Sequence, residues 1–250
     1  MSDTRVSVCM ATYNGEAYLQ EQIDSILAEL ELQDEVIIVD DASSDGTVAL
    51  LEAIADPRVR VKARTENRGY VRTFEEALSL ATGDVLMLAD QDDVWISGRR
   101  AQLVAALTTS AVAASNLVLM GDDAPLRSPL TGRDWLLKAE DGPKRVRNQM
   151  RILIGDAPYF GCAMAVRRDF LDRVLPFPGY LTESHDLWIA TVANHARELT
   201  HMEQPSLRRR LHEENASSER PRGVRRALQS RLLLLRLWSE ARRRVRRSQR

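Results

Sequence analysis

Four short strand-like runs, three of them apolar and the third amphipathic, alternate with stretches of helical spacing in the first half of the chain. The runs occupy residues 6–11, 35–40, 59–62 and 85–89. Between the first two, apolar residues recur at Leu19, Ile23, Ile26, Leu27 and Leu30. Continuous apolar runs are typical of strands buried on both faces of a parallel sheet, and parallel strands need a helix to cross between them. The alternation therefore predicts an α/β fold with a doubly wound, mostly parallel sheet flanked by helices.

Polar clusters follow the first, second and fourth of these runs. Asp90, Asp92 and Asp93 come directly after the fourth run, Asp40 and Asp41 close the second, and residues 12–15 (Thr-Tyr-Asn-Gly) follow the first. The carboxyl ends of parallel strands meet at one edge of a sheet, where α/β proteins bind their ligands. Three neighbouring carboxylates repel each other and suit a hard cation such as Mg2+ or Mn2+. The alternative is an acidic turn that caps a helix.

The loop after the first run offers an aromatic ring and a side-chain amide, at Tyr13 and Asn14, which suit the binding of a planar base. Asp41 could accept a hydrogen bond from the ring N–H of uracil or thymine, or it could cap the following helix. No Walker-type phosphate loop occurs, and no Gly-x-Gly-x-x-Gly follows the first run. Acids that bind a cation, beside a loop that binds a base, favour a nucleoside diphosphate ligand.

The second half of the chain contains another acid that requires an explanation. Asp186 precedes an apolar stretch that begins Leu-Trp-Ile, where it would act as an N-cap or, if it faces the crevice, take a proton from an attacking hydroxyl. His185 could orient it or contact an acceptor. His212 lies in a polar run and is either a ligand of the metal or diphosphate or an ordinary surface histidine. We further predict a helix at 97–108, strands within 111–119, 159–166 and 199–211, and a loop at 121–145.

The charge is divided unevenly along the chain. Residues 220–250 contain twelve arginines and one acid, a net charge of +11, and because the whole chain carries −1, residues 1–219 carry −12. Apolar residues recur at helical spacing in this tail, at Val224, Leu228, Leu232, Leu235, Trp238, Ala241 and Val245. Such a basic amphipathic helix either lies on an anionic membrane surface or packs on the acidic body or on a second subunit. Nucleic acid is not expected, because the aromatic residues are not interleaved with the basic ones.

With these motifs in place, the sequence resembles the family-2 glycosyltransferases, inverting enzymes of the GT-A fold. The resemblance spans about residues 5–217 and rests on the segments 6–15, 37–47, 67–69, 90–95 (Asp-Gln-Asp-Asp-Val-Trp), 160–165 and 185–188 (His-Asp-Leu-Trp). The motifs at 90–95 and 185–188 look most like those of the bacterial rhamnosyltransferase-like members. We expect a GT-A domain at 1–217, with a nucleotide-sugar half at 1–119 and an acceptor half at 120–217, followed by a basic helical tail at 218–250.

Several site residues are implied by this resemblance, position by position. Asp186 matches the catalytic base, and Asp92, Asp93 and His212 match the metal ligands. The residues that match the nucleotide-sugar site are Thr12, Tyr13, Asn14, Asp41, Arg68, Asp90 and Asp92. Those expected at the acceptor are Gly161, His185 and Trp188. The implied cofactor is Mg2+ or Mn2+.

The resemblance also implies a reaction. It is the transfer of one sugar from a UDP- or dTDP-linked donor, with dTDP-rhamnose as one candidate, to a hydroxyl of a glycan or lipid-linked acceptor in bacterial cell-surface polysaccharide assembly. The Gln-x-x-Arg-Trp motif of processive synthases is absent from the sequence. A nucleotidyltransferase and a degenerate sugar-nucleotide-binding or scaffold protein are the alternatives.

The expected location is the cytoplasm, peripherally on the inner face of the membrane if the tail binds lipid. The two cysteines, Cys9 and Cys162, are too few for a disulfide framework and fit a reducing compartment. No signal peptide or membrane-spanning run is apparent in the sequence. The sequence is compatible with an oligomer.

Overall fold

The computed structural model describes residues 4–211 and 224–248, with side chains from residue 228 onward in the second segment. The strands are β1 Val6–Thr12, β2 Glu35–Asp40, β3 Val59–Ala63, β4 Val85–Ala89, β5 Val94–Trp95, β6 Val112–Leu119, β7 Met164–Arg167 and β8 Leu199–Arg209. The helices are α1 Leu19–Leu27, α2 Thr47–Glu52, α3 Tyr70–Leu80, α4 Arg99–Ala106, α5 Arg145–Ile154, α6 Leu171–Val174, α7 His185–Ala196 and α8 Val224–Arg247. Short 3-10 turns occur at Ala139–Asp141, Gly161–Ala163 and Arg168–Phe170.

All eight strands form one sheet in the order β3-β2-β1-β4-β7-β6-β8-β5. Four of its seven neighbouring pairs are parallel, which confirms a mostly parallel sheet. Strands β2, β1 and β4 are adjacent and parallel. Their carboxyl ends therefore lie at one edge, as predicted from the three polar clusters.

The sheet separates two hydrophobic clusters, as the alternation of side chains along a strand requires. In β1, Val8 and Met10 belong to the cluster that includes apolar residues of α1 and α4. Cys9 belongs to the opposite cluster, which includes residues of α3, α5, α7 and α8. The apolar runs of the sequence are thus central strands with helices on both faces.

The tail helix α8 packs against the body through one face. Leu234, Leu237, Ala241 and Val245 are each at most 5% exposed and belong to the same core cluster as α3 and α7. The packing alternative for the tail is therefore correct for this face. The predicted apolar stripe is split between two faces, because Leu228, Leu232 and Leu235 remain exposed. Within residues 4–211 and 224–248, no helix is both long and apolar enough to cross a membrane.

Candidate functional site

A cleft of about 820 Å³ opens at the carboxyl ends of β1, β2 and β4. Its walls come from the loops after these strands, the start of α3, the turn before β7, the start of α7 and the end of β8. The polar and aromatic lining includes Thr12, Tyr13, Asn14, Asp41, Tyr70, Asp90, Gln91, Asp92, Phe160, His185, Asp186 and Arg209. Most of the predicted site residues therefore line one cleft.

Two loops hold the backbone of Tyr13 so that its ring stays exposed. The Tyr13 amide donates to Gln91 Oε1 at 2.8 Å, and Gln91 Nε2 donates to the Tyr13 carbonyl at 3.0 Å. The Tyr13 side chain is 49% exposed. A fixed, exposed aromatic ring is suited to stacking on a base, as predicted.

Asn14 connects the loops after β1 and β2. It has a positive φ of 48°, and its Oδ1 accepts from the Ser44 amide at 2.8 Å. Thr12 Oγ1 similarly donates to the buried Asp40 at 2.9 Å. Thr12 and Asn14, both predicted to bind the nucleotide, therefore stabilise the end of β2 and the loop after it through hydrogen bonds.

Asp41 is fixed by several donors at the edge of the cleft. Its Oδ1 accepts from Arg64 Nη1 at 2.9 Å and from the Arg68 amide at 2.8 Å, and its Oδ2 accepts from the Gly69 amide at 2.8 Å. A carboxylate oxygen can accept two hydrogen bonds, so Oδ2 retains capacity for one more. Arg68 itself is exposed and contributes its backbone amide to this arrangement.

Three potential ligand atoms converge after β4 and before β7. One atom each from Asp90, Asp93 and Cys162 lies within 4.8 Å of the others. Asp93 is buried, and its Oδ2 has no hydrogen-bond partner. Burial first, and then repulsion from neighbouring carboxylates, raises the pKa of both Asp90 and Asp93. These observations fit a divalent cation, which would relieve the repulsion and satisfy the unpaired oxygen.

The composition of this acidic cluster differs from the predicted ligand set. Cys162 takes part, although the sequence offered no reason to connect it with residues 90–93. Asp92 lines the cleft but does not belong to the three-residue group. His212, the third predicted ligand, lies outside the described residues.

Arg209, at the end of β8, supplies a positive charge that was not predicted. It lines the cleft, its guanidinium lies over the Phe160 ring at 5.0 Å, and its charge opposes the raised pKa values of Asp90, Asp93 and Asp186. The charged groups of its neighbours pair with other acids, Arg208 with Asp123 and Arg210 with Glu21, although the Arg210 amide also donates to Asp93 Oδ1 at 3.3 Å. Three consecutive arginines gave no sequence signal for which one faces the acids.

Asp186 lies in the first turn of α7 and lines the same cleft as the acidic cluster. Its Oδ1 accepts from the Leu187 amide at 2.7 Å. Burial raises the pKa of Asp186 to about 6, although the Leu187 amide and Arg209 act in the opposite direction. A carboxylate with a pKa close to neutral is suited to accept and release a proton.

His185, the residue before Asp186, is buried. Its ring stacks on Phe74 with centroids 4.4 Å apart, and neither ring nitrogen has a hydrogen-bond partner. Burial lowers the pKa of His185 to about 3, so the ring is neutral at physiological pH. A Cβ on Gly161 would lie 2.7 Å from His185 Nε2, which explains the glycine at that position. Both residues line the cleft, and their contact with the acceptor stays a prediction.

Trp188 requires a correction. It was expected to contact the acceptor, but its side chain is fully buried and its Nε1 donates to the Val174 carbonyl at 3.0 Å. The residue lies one turn into α7, where the helix faces the core. Trp188 therefore holds α7 against α6 and does not line the cleft.

A family model described as Glycosyl transferase family 2 matches residues 7–175. The chain belongs to this family. The match includes the acidic cluster and ends before Asp186.

Several relatives of this family-2 chain are bacterial proteins. An uncharacterized glycosyltransferase of Nostoc sp. is 28% identical over 182 residues, which cover 69% of the chain and 53% of that protein. The putative glycosyltransferase EpsE of Bacillus subtilis is 36% identical over 109 residues, 42% of the chain and 39% of that protein. The match thus spans about half or less of these relatives.

One further relative has a detailed name. It is the Escherichia coli UDP-Glc:alpha-D-GlcNAc-diphosphoundecaprenol beta-1,3-glucosyltransferase WfgD, 30% identical over 99 residues, 40% of the chain and 39% of that protein.

Solved structures share the fold of the family-2 chain. S. aureus TarS 1-349 in complex with UDP-GlcNAc superposes with a TM-score of 0.71 at 18% identity, covering 93% of the chain and 66% of TarS 1-349. The mannosyltransferase PcManGT from Pyrobaculum calidifontis, in complex with GDP-Man and Mn2+, superposes with a TM-score of 0.63 at 18% identity, covering 98% and 74%. The expectation of a GT-A-type α/β fold is confirmed.

Proposed function

We propose that the protein is a metal-dependent, inverting glycosyltransferase that moves one sugar from a nucleoside diphosphate donor to an acceptor hydroxyl. The observation that carries the proposal is that one cleft is lined by the exposed Tyr13, by Asp90, whose carboxylate lies close to that of the buried Asp93, and by Asp186. These are a surface for the base, a position for the diphosphate and a proton acceptor. The family membership and the titles of TarS and PcManGT, which name UDP-GlcNAc and GDP-Man with Mn2+, support it.

The nucleoside end of the donor is assigned to the loops after β1 and β2. The base stacks on Tyr13, and Asp41 Oδ2 accepts a hydrogen bond from the base's ring N–H. A carboxylate acceptor fits a base with a ring N–H, such as uracil or thymine, and disfavours cytosine and adenine. The proposed donor is therefore UDP- or dTDP-linked, with dTDP-rhamnose as one candidate. Asn14 and Gln91 keep these loops in place before the donor binds.

The diphosphate is assigned to the acidic cluster and Arg209. Asp90 and Asp93 would hold the divalent cation through their carboxylate oxygens, with the Cys162 thiol beside them, and the cation would supply Lewis-acid stabilisation of the departing diphosphate. Arg209 adds a fixed positive charge on the same wall of the cleft. The guanidinium can therefore bind a phosphate oxygen directly.

The chemical step is assigned to Asp186. Its carboxylate takes the proton of the acceptor hydroxyl while that oxygen forms a bond to the anomeric carbon. The bond from that carbon to the diphosphate oxygen breaks, and its electron pair leaves with the diphosphate. One displacement from the opposite side inverts the anomeric centre. His185 and Phe74 fix the position of the α7 start from which Asp186 projects.

The acceptor is proposed to be a glycan or lipid-linked sugar of bacterial cell-surface polysaccharide assembly, on the cytoplasmic side of the membrane. The name of WfgD, which specifies a diphosphoundecaprenol-linked acceptor, supports this assignment. Transfer of a single sugar fits the absence of a Gln-x-x-Arg-Trp motif from the sequence.

A donor panel tests the proposal. Thermal unfolding is measured with Mn2+ and UDP-, dTDP- or GDP-linked sugars, for the wild type and Asp93→Ala, and donor cleavage is followed by released nucleotide. We expect one nucleotide class to raise the melting temperature, since a ligand at a hundred times its Kd stabilises by about 2.7 kcal/mol, and Asp93→Ala to abolish the effect. Pyrophosphate release would instead indicate a nucleotidyltransferase. Binding without cleavage in the presence of acceptor sugars would indicate a binding or scaffold protein.

A further inference from the structure

Helix α5 and the tail helix α8 both expose apolar stripes on their outer faces. On α5, Val146, Met150 and Ile154 are 79%, 53% and 47% exposed and recur every four residues. On α8, Leu228, Leu232 and Leu235 are 61%, 53% and 46% exposed and recur at spacings of four and three. Each set lies on one face of its helix. Large aliphatic side chains rarely line up on a free surface without a binding role.

The two stripes belong to adjoining helices. Arg231 Nη2 donates to the Ile154 carbonyl at 2.6 Å, and its guanidinium covers Gly155 so closely that a Cβ there would lie 2.6 Å from Nη2. This contact joins the end of α5 to the part of α8 that contains Leu228 and Leu232. We refer to the exposed residues of both helices, Val146, Met150, Ile154, Leu228, Leu232 and Leu235, as the two-helix patch.

Basic side chains surround the two-helix patch. Lys144, Arg145 and Arg147 are exposed at the start of α5, and Arg236, Arg242, Arg243, Arg246 and Arg247 are exposed along α8. The acid in the described part of α8, Glu240, is engaged by Arg243 and Arg244. Asp141, before α5, is buried under Lys144 and Arg147. The surface therefore combines leucine-type side chains with a strong excess of positive charge.

We propose that the two-helix patch is a docking surface for an anionic lipid membrane. Helices that lie in a membrane interface have apolar side chains on one face and Lys or Arg beside them, and their affinity sums apolar burial and attraction to anionic headgroups. A second copy of the chain fits less well, because a two-fold contact would place the arginines of both copies against each other. The charge of the surface thus selects the lipid as its occupant.

The two-helix patch is connected to the acceptor side of the cleft. Ser230 Oγ, two residues from Leu228, donates to Glu183 Oε1 at 2.9 Å. Glu183 lines the cleft and precedes Asp186 by three residues. Docking would therefore hold the acceptor side of the cleft close to the lipid surface. Docking itself does not depend on the proposed transfer reaction, whereas delivery of a lipid-linked acceptor does.

Vesicle co-sedimentation with the full chain tests the inference. Binding is measured to phosphatidylcholine vesicles and to vesicles that also contain phosphatidylglycerol, for the wild type and for the triple variant Met150→Gln, Leu232→Gln, Leu235→Gln. We expect the wild type to bind the anionic vesicles with an affinity that falls as salt is raised, and the triple variant to bind at least about tenfold more weakly. Leu32→Gln, at a residue 93% exposed in the loop before β2, is the matched control and should bind as the wild type does.

A second variant separates charge from apolar contact. Arg236→Glu, Arg242→Glu should weaken binding to anionic vesicles by roughly tenfold or more, while leaving the weak binding to phosphatidylcholine unchanged. Nucleotide-sugar binding and donor cleavage should be unaffected in all these variants, since none of the changed residues lines the cleft. The donor assays would therefore report a failure of the proposed transferase reaction, and the vesicle assay would separately report a failure of the docking.

Two results would overturn the inference. One is equal sedimentation of the wild type and the triple variant with anionic vesicles. The other is the absence of vesicle binding together with self-association of the wild type in analytical ultracentrifugation that the triple variant abolishes, which would make the patch a contact between copies.

Discussion

At the scale of single residues, Asp186 combines a position on the cleft with a pKa raised by burial. Replacing it with Asn keeps the shape of the side chain and removes the proton acceptor. We expect Asp186→Asn to lower kcat by roughly 10²- to 10⁴-fold, the usual contribution of a general base, without lowering the unfolding midpoint at neutral pH, because removing a buried carboxylate whose pKa is raised does not destabilise the folded state there. Initial rates at saturating donor measure the effect. Glu183→Gln, a change of a nearby carboxylate on the same cleft, is the control and should retain most of the activity.

The pKa of Asp186 also predicts a pH profile. The carboxyl is protonated below its pKa and cannot accept the hydroxyl proton there, so activity should be low in acid, rise through a pH of about 6 and level off above it. Transfer rates at saturating Mn2+ and donor across this range measure the profile. A wild-type rate that stays flat through this range would contradict the assignment of Asp186 as the base.

Gly161 and His185 allow a second test at this scale. A methyl group at residue 161 would lie 2.7 Å from His185 Nε2, and the imidazole cannot retreat because it stacks on Phe74. We expect Gly161→Ala to cost about 1–3 kcal/mol of unfolding free energy, typical of overpacking, and to lower activity by displacing the start of α7. Urea unfolding and transfer assays measure both. Gly179→Ala is the control, since nothing lies within 4 Å of its Cβ position. Equal stability and activity of the two variants would show that the close contact between residue 161 and His185 does not position α7.

At the scale of elements, α8 is part of the core. Leu237 is fully buried, whereas Leu228, on the opposite face of the same helix, is 61% exposed. We expect Leu237→Ala to destabilise the protein by about 2–5 kcal/mol and Leu228→Ala to have an effect within about 0.5 kcal/mol. Urea unfolding of the two variants measures the difference. Similar small losses in both would mean that α8 does not pack on the body in solution.

The elements also show how far sequence reasoning reaches in this protein. Strands β1, β2 and β4 were predicted because strands buried on both faces leave unbroken apolar runs. The antiparallel insertion of β7 between β4 and β6 was not predicted, because pairing direction depends on the path of the chain and leaves no periodic signal. Helix α5 was missed because Val146, Met150 and Ile154 face outward while Asn148 and Gln149 are buried, which reverses the polar and apolar pattern expected of a surface helix.

The candidate site shows the same division. Residues that share a strand-end cluster, such as Tyr13, Asp41 and Asp90, were predicted because adjacent parallel strands bring their ends together. Cys162 and Arg209 join the site through tertiary contacts between distant segments, which no local pattern encodes. Trp188 was misplaced for a related reason. The sequence shows that Trp188 lies two residues after Asp186, but it does not show which face of α7 packs into the core.

At the scale of the whole molecule, stability should be linked to pH and to a cation through Asp90 and Asp93. Both carboxyls have raised pKa values in the folded protein. Their contribution to stability is therefore fully present below the unfolded pKa of about 3.9 and is lost as pH rises through the folded values, because the folded state binds these protons more tightly. A cation binds the deprotonated carboxylates and should offset this loss, so the stabilisation by Mn2+ should increase with pH.

Melting temperatures at about pH 5 and about pH 8, with EDTA or Mn2+, measure this linkage. We expect Mn2+ to raise the melting temperature more at the higher pH, and Asp93→Asn to remove most of the Mn2+ effect while making the EDTA form more stable at that pH. A higher stability of Asp93→Asn in EDTA would distinguish a cation site from an ordinary ion pair, because removing a carboxylate that has a positive partner would destabilise the protein instead. Asp24→Asn, at an exposed position on α1, controls for the general effect of removing one negative charge. Because the acidic cluster lies between the end of β4 and the start of β7, which are neighbours in the sheet, the stability of the sheet and the binding of the donor should respond to the same cation.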